Sequence, residues 1–173
     1  QEWLKKKFKN VEAHTINLDG LFDLFSSSLK GFDNEHGFAN SRARLRMTTL
    51  YQVAAANKGI VVGTGNKVED FGVGFYTKYG DGGVDISPIA DCNKSEVWEI
   101  GKELGILNEI IEAAPTDGLW DDGRTDEGQL GLKYHELEEA MDNPNSLNRA
   151  KYETIRKQNL HKMEPIPVCK IPN

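Results

Sequence analysis

Apolar positions along the chain repeat with two different periods, and glycines, prolines and capping residues mark the changes between them. Trp3, Leu4 and Phe8 stand among lysines at near-helical spacing. The pattern starts abruptly, as the second half of an amphipathic helix whose first half is expected outside these residues. Val11 to Leu18 predicts a strand. Asp19-Gly20 then predicts a turn, with an N-cap for a helix carrying Leu21, Phe22, Phe25 and Leu29. Lys30 to Asn40 reads as loop. Ser41 to Lys58 reads as helix throughout, with Met47, Leu50, Val53 and Ala54 on one side and Gly59 as the C′ residue that stops it.

Gly59 to Gly63 predicts a short β-branched strand buried on both faces, after which Thr64-Gly65-Asn66 turns the chain and Lys67 to Asp70 begin a helix. Ligands of open α/β sheets collect beyond the carboxyl ends of strands, which puts Thr64, Asn66, Glu69 and Asp70 at the end where one would bind. Asp85 to Ile89 predicts a short extended piece. Asn93-Lys94-Ser95-Glu96 is a capping box, and Val97, Ile100 and Leu104 carry its helix to Gly105. A short helix over Leu107 to Ala114 is stopped by Pro115. Pro115 to Gly131 has no periodicity and reads as one long loop, of the kind that is usually functional or mobile. Tyr134, Leu137 and Met141 mark a helix ending near Asn143-Pro144, and Ser146 to Leu160 a last one. The tail from His161 to Pro167 is not expected to be helical past Glu164.

These elements predict an α/β fold, one domain over residues 1–173, with a parallel sheet flanked by helices. Two firm strands and one weaker one are too few to close such a sheet, so N-terminal strand(s) are expected outside this sequence. A chain of 173 residues, 38% hydrophobic and 28% charged, has the make-up of an ordinary globular domain. Its net charge of −6 argues against general nucleic-acid binding. Cys92 and Cys169 suit neither a disulfide framework nor a metal cluster, which points to reduced thiols and a cytoplasmic setting. No run is long and apolar enough to span a membrane as a helix.

Charge placement adds more than charge totals. Arg42, Arg44 and Arg46 fall in the first turns of the helix predicted from Ser41, and Lys94 falls in the first turn of its own helix. The macrodipole disfavours cations there unless an anion compensates. Zinc spacing, a GxSxG elbow, a Walker A run and a strand-borne GxGxxG are all absent from the sequence. Taken singly, Thr64, Glu69, Lys78, Asp81, Asp85, Lys94, Thr116, Asp126, Glu127, His161 and Lys162 read as caps, turn formers or solvated charges as readily as ligands.

Together, the runs RARLRM (Arg42 to Met47), VVGTGNKVED (Val61 to Asp70), FYTKYGDGGVDISPI (Phe75 to Ile89), PTDGLW (Pro115 to Trp120), TDEGQLG (Thr125 to Gly131) and HKM (His161 to Met163) have a specific order and spacing. In both respects the chain resembles the ammonia-dependent NAD synthetases. The resemblance implies a Rossmann-like, adenine-nucleotide α-hydrolase-like fold and a homodimer. It also implies conversion of deamido-NAD, ATP and ammonia to NAD, AMP and pyrophosphate.

By the same resemblance, Glu69 holds Mg²⁺, with Asp70 in reserve. Thr64, Lys94 and Thr116 contact ATP, and Lys94 and Glu69 carry the catalytic charge. Arg44, Lys78, Asp85, His161 and Lys162 bind deamido-NAD, with Asp81, Asp126 and Glu127 accepting from ribose hydroxyls or orienting ammonia. Two features depart from the family pattern. Met163 stands where a further basic residue usually follows His-Lys, and the SGGxDS pyrophosphate loop is not among the 173 residues, so this chain alone is not expected to adenylate. Two other readings remain open at this stage: another amide ligase of the ATP-pyrophosphatase type, and a non-catalytic dinucleotide-binding fragment.

Overall fold

The computed structural model describes residues 1–171, which fall into two compact units, Gln1–Asn34 and a second that begins at Glu35. The first unit contains α1 (Glu2–Lys7) and α2 (Asp19–Ser28) and buries no residue. Lys7 lies over the Trp3 ring at 4.5 Å and Phe22 stacks on Phe25. The strand expected over Val11 to Leu18 is not formed; that stretch has no regular secondary structure. Asp19 lies inside the first turn of α2 rather than at its cap, and the Asn17 side-chain oxygen accepts from its N–H at 2.7 Å.

The second unit opens with α3 (Glu35–Ala56), so the helix begins well before Ser41 and takes in half of the stretch expected as loop. It also ends at Ala56, two residues before Lys58. Lys58 N–H donates to Ala55 O at 3.2 Å and Gly59 N–H to Ala54 O at 2.8 Å, a Schellman pair that makes Lys58 the C′ residue, at φ +53°. Glycine thus stands one position past the site that needs it.

From Gly59 the chain runs extended, and Val62 pairs with Ile86 in a single parallel bridge. Val61 is buried while Ile60 and Val62 are more than half exposed, so this segment is covered on one side and not on both. No longer strand forms among the described residues, and the expected parallel sheet reduces to this bridge. The helix expected at Lys67 forms as a π-helical turn, Val68–Val73, closed by Gly74 in the left-handed region at φ +67°. A Cβ at Gly74 would also stand 2.7 Å from Asn159 Cβ, so both backbone and packing require glycine there.

α4 (Lys94–Glu103) has the predicted capping box of Asn93 and Glu96 and ends at Gly105, as expected. α5 is only Asn108–Ile111. The long loop contains α6 (Asp126–Leu130), whose first turn is capped by Thr125 Oγ1 accepting from Gly128 N–H at 3.1 Å. α7 (Tyr134–Asp142) is as predicted, while the last helix is shifted toward the C-terminus to α8 (Arg149–Met163). His161 and Lys162 therefore belong to a helix and not to a tail, although the helix does stop before Glu164.

α7 packs against α4, α8 and the π turn. Val68, Val73, Leu130, Leu132, Tyr134, Leu137, Ala140 and Tyr152 form the core between them. α8 meets the π turn through a polar stripe. Arg156 donates to Phe71 O and Gly72 O, Asn159 Nδ2 to Val73 O at 2.9 Å, and Lys162 Nζ to Gly74 O at 2.8 Å and Tyr76 O at 2.7 Å. Among the described residues, no helix is long and apolar enough to cross a membrane.

Lys58→Gly removes a left-handed strain of about 1–2 kcal/mol and gives back part of it as unfolded-chain entropy. A net stabilisation of about 0.5–1 kcal/mol is expected, read as a higher urea midpoint at unchanged slope.

Candidate functional site

The π turn aims Glu69 at a cavity of about 630 Å³ whose wall also includes Thr64, Lys94, Thr116 and Asp126. Asn66, almost fully buried, sets the turn. Its side-chain oxygen accepts from Val68 N–H and Glu69 N–H, and its own N–H donates to Glu69 Oε2 at 3.3 Å. Glu69 Oε1 accepts from Tyr134 OH at 2.7 Å and from Lys94 Nζ at 3.3 Å, with both ion-pair partners less than one-fifth exposed. The carboxylate that offsets Lys94 at its helix start is thus Glu69. Lys94 also lies 5.0 Å from the centre of the Tyr134 ring, against which Trp98 packs edge-on.

Tyr134 OH is within 3.1 Å of Asp126 Oδ2 as well, and one hydroxyl hydrogen cannot satisfy both carboxylates. Asp126 is buried and its Oδ1 has no hydrogen-bond partner. Burial, and then the neighbouring Glu69 and Asp117 charges, raise the Asp126 carboxyl above its ordinary range, against the pull of the tyrosine hydrogen bond. The Tyr134 phenol is raised strongly, first by burial and then by Glu69.

A second cavity, of about 480 Å³, is lined by Arg44, Lys78, His161 and Lys162 together with His36, Tyr76 and Trp120. The loop from Thr77 to Gly83 contributes Thr77, Lys78 and Asp81 to its lining. Asp81 Oδ1 accepts from Thr77 N–H at 2.9 Å, and Tyr79 takes φ +63° to close the turn. Thr77 Oγ1 donates to Asn40 Oδ1 at 2.7 Å, pinning the loop to α3. Lys78 Nζ donates to His161 O, so it reaches across to α8. Lys162 already has two carbonyl partners; burial lowers its ammonium and Asp81 partly restores it.

Phe75, Asp81, Asp117 and Leu119 border both cavities and form the wall between them. The Asp117 carboxylate is fixed by Leu119 N–H, Trp120 Nε1 and Gln129 Nε2. Arg46 donates to Asp117 O and Gly118 O, and Arg42 to Leu119 O at 2.7 Å. These arginines lie about two turns or more inside α3, not in its first turns, and their partners are loop carbonyls and, for Arg42, the Asp121 carboxylate at 3.5 Å. Arg44 Nε donates to Lys78 O at 3.3 Å.

The sequence expectations thus sort by cavity. Thr64, Glu69, Lys94 and Thr116 share the first, and Arg44, Lys78, His161 and Lys162 the second. Asp81 touches both, while Asp126 stands with the first set and not with the second. Asp85 and Glu127 line neither. Asp85 accepts from Val61 N–H at 2.7 Å and from Tyr51 OH, and Glu127 Oε1 accepts from Tyr134 N–H at 3.0 Å. Tyr134 and Asp117 were not legible as site residues: a tyrosine at a helical apolar position reads as core, and an aspartate in a Thr-Asp-Gly run reads as a turn.

The NAD synthase family profile matches residues 4–171. The NH(3)-dependent NAD(+) synthetase of Carboxydothermus hydrogenoformans is 44% identical over 136 residues, covering 76% of this chain and 55% of its own. That of Syntrophomonas wolfei is 37% identical over 179 residues, covering 98% and 70%. The solved NMN synthetase of Francisella tularensis superposes with a TM-score of 0.85 at 33% identity, over 99% of this chain and 70% of that one. The chain spans about half the length of several of the relatives it matches.

Burial, then the neighbouring Glu69 and Asp81 charges, push Asp70 from 3.8 up to about 6. Between those values the folded protein holds a proton that the unfolded chain has lost. Stability therefore falls as pH rises through that window, and the penalty is complete above it. In metal-free buffer the urea midpoint of Asp70→Asn is expected to exceed that of the wild type at about pH 8, with the gap closing toward about pH 4.

Proposed function

The chain belongs to the NAD synthase family, and from that premise we propose that it serves the ammonia-dependent synthesis of NAD from deamido-NAD and ATP. The observation that carries this reading is the pair of adjoining cavities. One collects the residues expected on ATP and the other four of those expected on the dinucleotide, Arg44, Lys78, His161 and Lys162, with a shared wall between them.

A carboxylate does not react with ammonia at neutral pH. In this reading the nicotinate carboxylate oxygen attacks the α-phosphorus of ATP and pyrophosphate leaves. Ammonia then adds to the acyl carbon, AMP departs with the carbon–oxygen bonding pair, and the added nitrogen gives up a proton to leave the neutral amide. Both reacting atoms would meet at the wall of Phe75, Asp81, Asp117 and Leu119. Lys94, held by Glu69 and the Tyr134 ring, would lie against phosphate oxygens and stabilise the charge that develops there. Thr64 and Thr116 hydroxyls would add neutral hydrogen bonds. Arg44 and Lys78 would face the dinucleotide's diphosphate or carboxylate, with His161 beside them. Lys162, Asp85 and Glu127 act in this reading through the backbone they hold.

Glu69 suits a hard divalent cation: it is a carboxylate at the cavity wall, and its Oε2 has only a long contact to Asn66 N–H at 3.3 Å. Mg²⁺ bound there would draw charge from the phosphate oxygens and ease the departure of pyrophosphate. The family resemblance also leads us to propose a cytoplasmic homodimer. A second reading, favoured by the superposition on the Francisella protein, replaces the dinucleotide by nicotinate mononucleotide; the amidation chemistry is the same.

AMP is expected from ATP, ammonia and deamido-NAD with a longer form of the protein that carries an SGGxDS loop, and not with the 173 residues alone. AMP release by the short chain would refute the dependence on that loop. Preferential turnover of nicotinate mononucleotide would establish the second reading. In the active form, Lys78→Ala is expected to raise KM for deamido-NAD by about 10–100-fold, the loss of a charge-assisted contact; unchanged KM and turnover would remove Lys78 from the site.

A further inference from the structure

We propose that the Tyr134 ring is the positioning group for Lys94, holding its ammonium at the wall of the first cavity while the tyrosine hydroxyl holds Glu69 beside it. The proposal rests on reading Lys94 as the contact to the phosphate oxygens of ATP. It starts from a charge that one partner does not seat. Lys94 stands at the first position of α4, where the macrodipole works against a cation, and its ammonium rides on a flexible four-carbon stem. Its hydrogen-bond partner is Glu69 Oε1 at 3.3 Å, whereas a charge-assisted bond of full strength is about 2.7–2.9 Å long. The same oxygen already accepts from Tyr134 OH at 2.7 Å. The ion pair by itself leaves the ammonium loosely directed.

The second anchor is the ring. Lys94 Nζ lies over it, 5.0 Å from its centre, inside the roughly 6 Å reach of a cation–π contact. Such a contact is strongest where water is excluded, and Tyr134 is 1% exposed and the Lys94 side chain 19%. The ring is itself held in place. Trp98 packs against it edge-on at 6.1 Å, Tyr134 N–H donates to Glu127 Oε1 at 3.0 Å, and the hydroxyl reaches Glu69. Lys94, Glu69 and Tyr134 thus close a triangle in which each member engages the other two.

The triangle divides the work of one side chain. The hydroxyl sets the carboxylate and the face sets the cation, so removing the oxygen and removing the π density are different perturbations. Tyr134 lines neither cavity, which makes its role one of positioning through Lys94. Of the three N–H groups on Lys94, one is given to Glu69, and the cavity that Lys94 lines is where the other two can be used.

The test measures acylation of Lys94 by limiting acetic anhydride in the full 173-residue chain, in metal-free buffer, read by peptide mass spectrometry. Wild type is compared with Tyr134→Phe and with the mono-, di- and trifluorinated analogues of that phenylalanine. Fluorine withdraws electron density from the ring face with little change of shape, so the series alters the cation contact and not the packing. Lys162, held by two carbonyls, is the control for general loosening. An amine released from the ring is acylated faster. Tyr134→Phe is expected to stay within about 2-fold of the wild type and trifluorination to raise the rate about 3–10-fold, as loss of a partly buried cation–π contact would, with Lys162 unchanged. A flat series would overturn the proposal, as would Tyr134→Phe as reactive as the trifluorinated ring, or Lys162 rising in step with Lys94. In the longer, active form, kcat/KM for ATP is expected to fall along the same series and to stay level along it once Lys94→Ala is in place, as for a residue that acts through another; a fall that persists there would overturn the proposal. A graded labelling series with AMP formation indifferent to Lys94→Ala would refute the reading of Lys94 as the phosphate contact and leave the positioning standing, so the two failures are distinguishable.

Discussion

A π turn leaves its last carbonyls without partners of its own, and the arrangement of the second unit follows from how α8 supplies them. Arg156, Asn159 and Lys162, spaced three apart on one helix, donate to the carbonyls of Phe71, Gly72, Val73, Gly74 and Tyr76. Buried carbonyls left unpaired would cost more than any single apolar contact in this small core provides. The stripe therefore fixes where the turn begins and ends. At one end it points Glu69 into the first cavity. At the other it delivers Phe75, Thr77 and Lys78 to the second.

The same economy governs the loops. α3 contributes little to the core, with Ala39 and Ala43 its buried residues. It acts mainly as a rack of donors. Arg42 and Arg46 hold the carbonyls of residues 117–119, Arg44 holds that of Lys78, and Asn40 receives the Thr77 hydroxyl. The wall between the cavities is thus built from two loops outside any helix or strand. Each is tied to one long helix, which supplies the rigidity that site loops need from a scaffold.

Charge balance separates the two cavities chemically. The first gathers Glu69, Asp126 and the nearby Asp70 around Lys94, with a tyrosine hydroxyl between two carboxylates. The second presents Arg44, Lys78, His161 and Lys162. Among charged side chains, the former is lined mainly by carboxylates and the latter mainly by basic groups. Asp81, touching both, accepts a backbone N–H from Thr77 and is raised by burial, so its charge is held at the boundary at some cost.

What the sequence determined by itself is local or motif-borne. The capping box of α4, the apolar face of α7, the stop before Glu164 and the partition of Thr64, Glu69, Lys94 and Thr116 from Arg44, Lys78, His161 and Lys162 were all legible. They depend on neighbours within a few residues or on runs with a specific order. The tertiary structure decided the rest. It shifted the C′ position from Gly59 to Lys58, because helix length is set by packing as well as propensity. It began α3 at Glu35 and gave its arginines to loop carbonyls, reduced the expected sheet to the Val62–Ile86 bridge, and placed Asp85 and Glu127 on backbone N–H groups. It also set the Tyr134 hydroxyl between the Glu69 and Asp126 carboxylates. A hydrogen bond across 65 residues, from Tyr134 to Glu69, leaves no periodic trace in either segment. Only the fold brings such donors and acceptors together, and desolvation there decides which of them must pair.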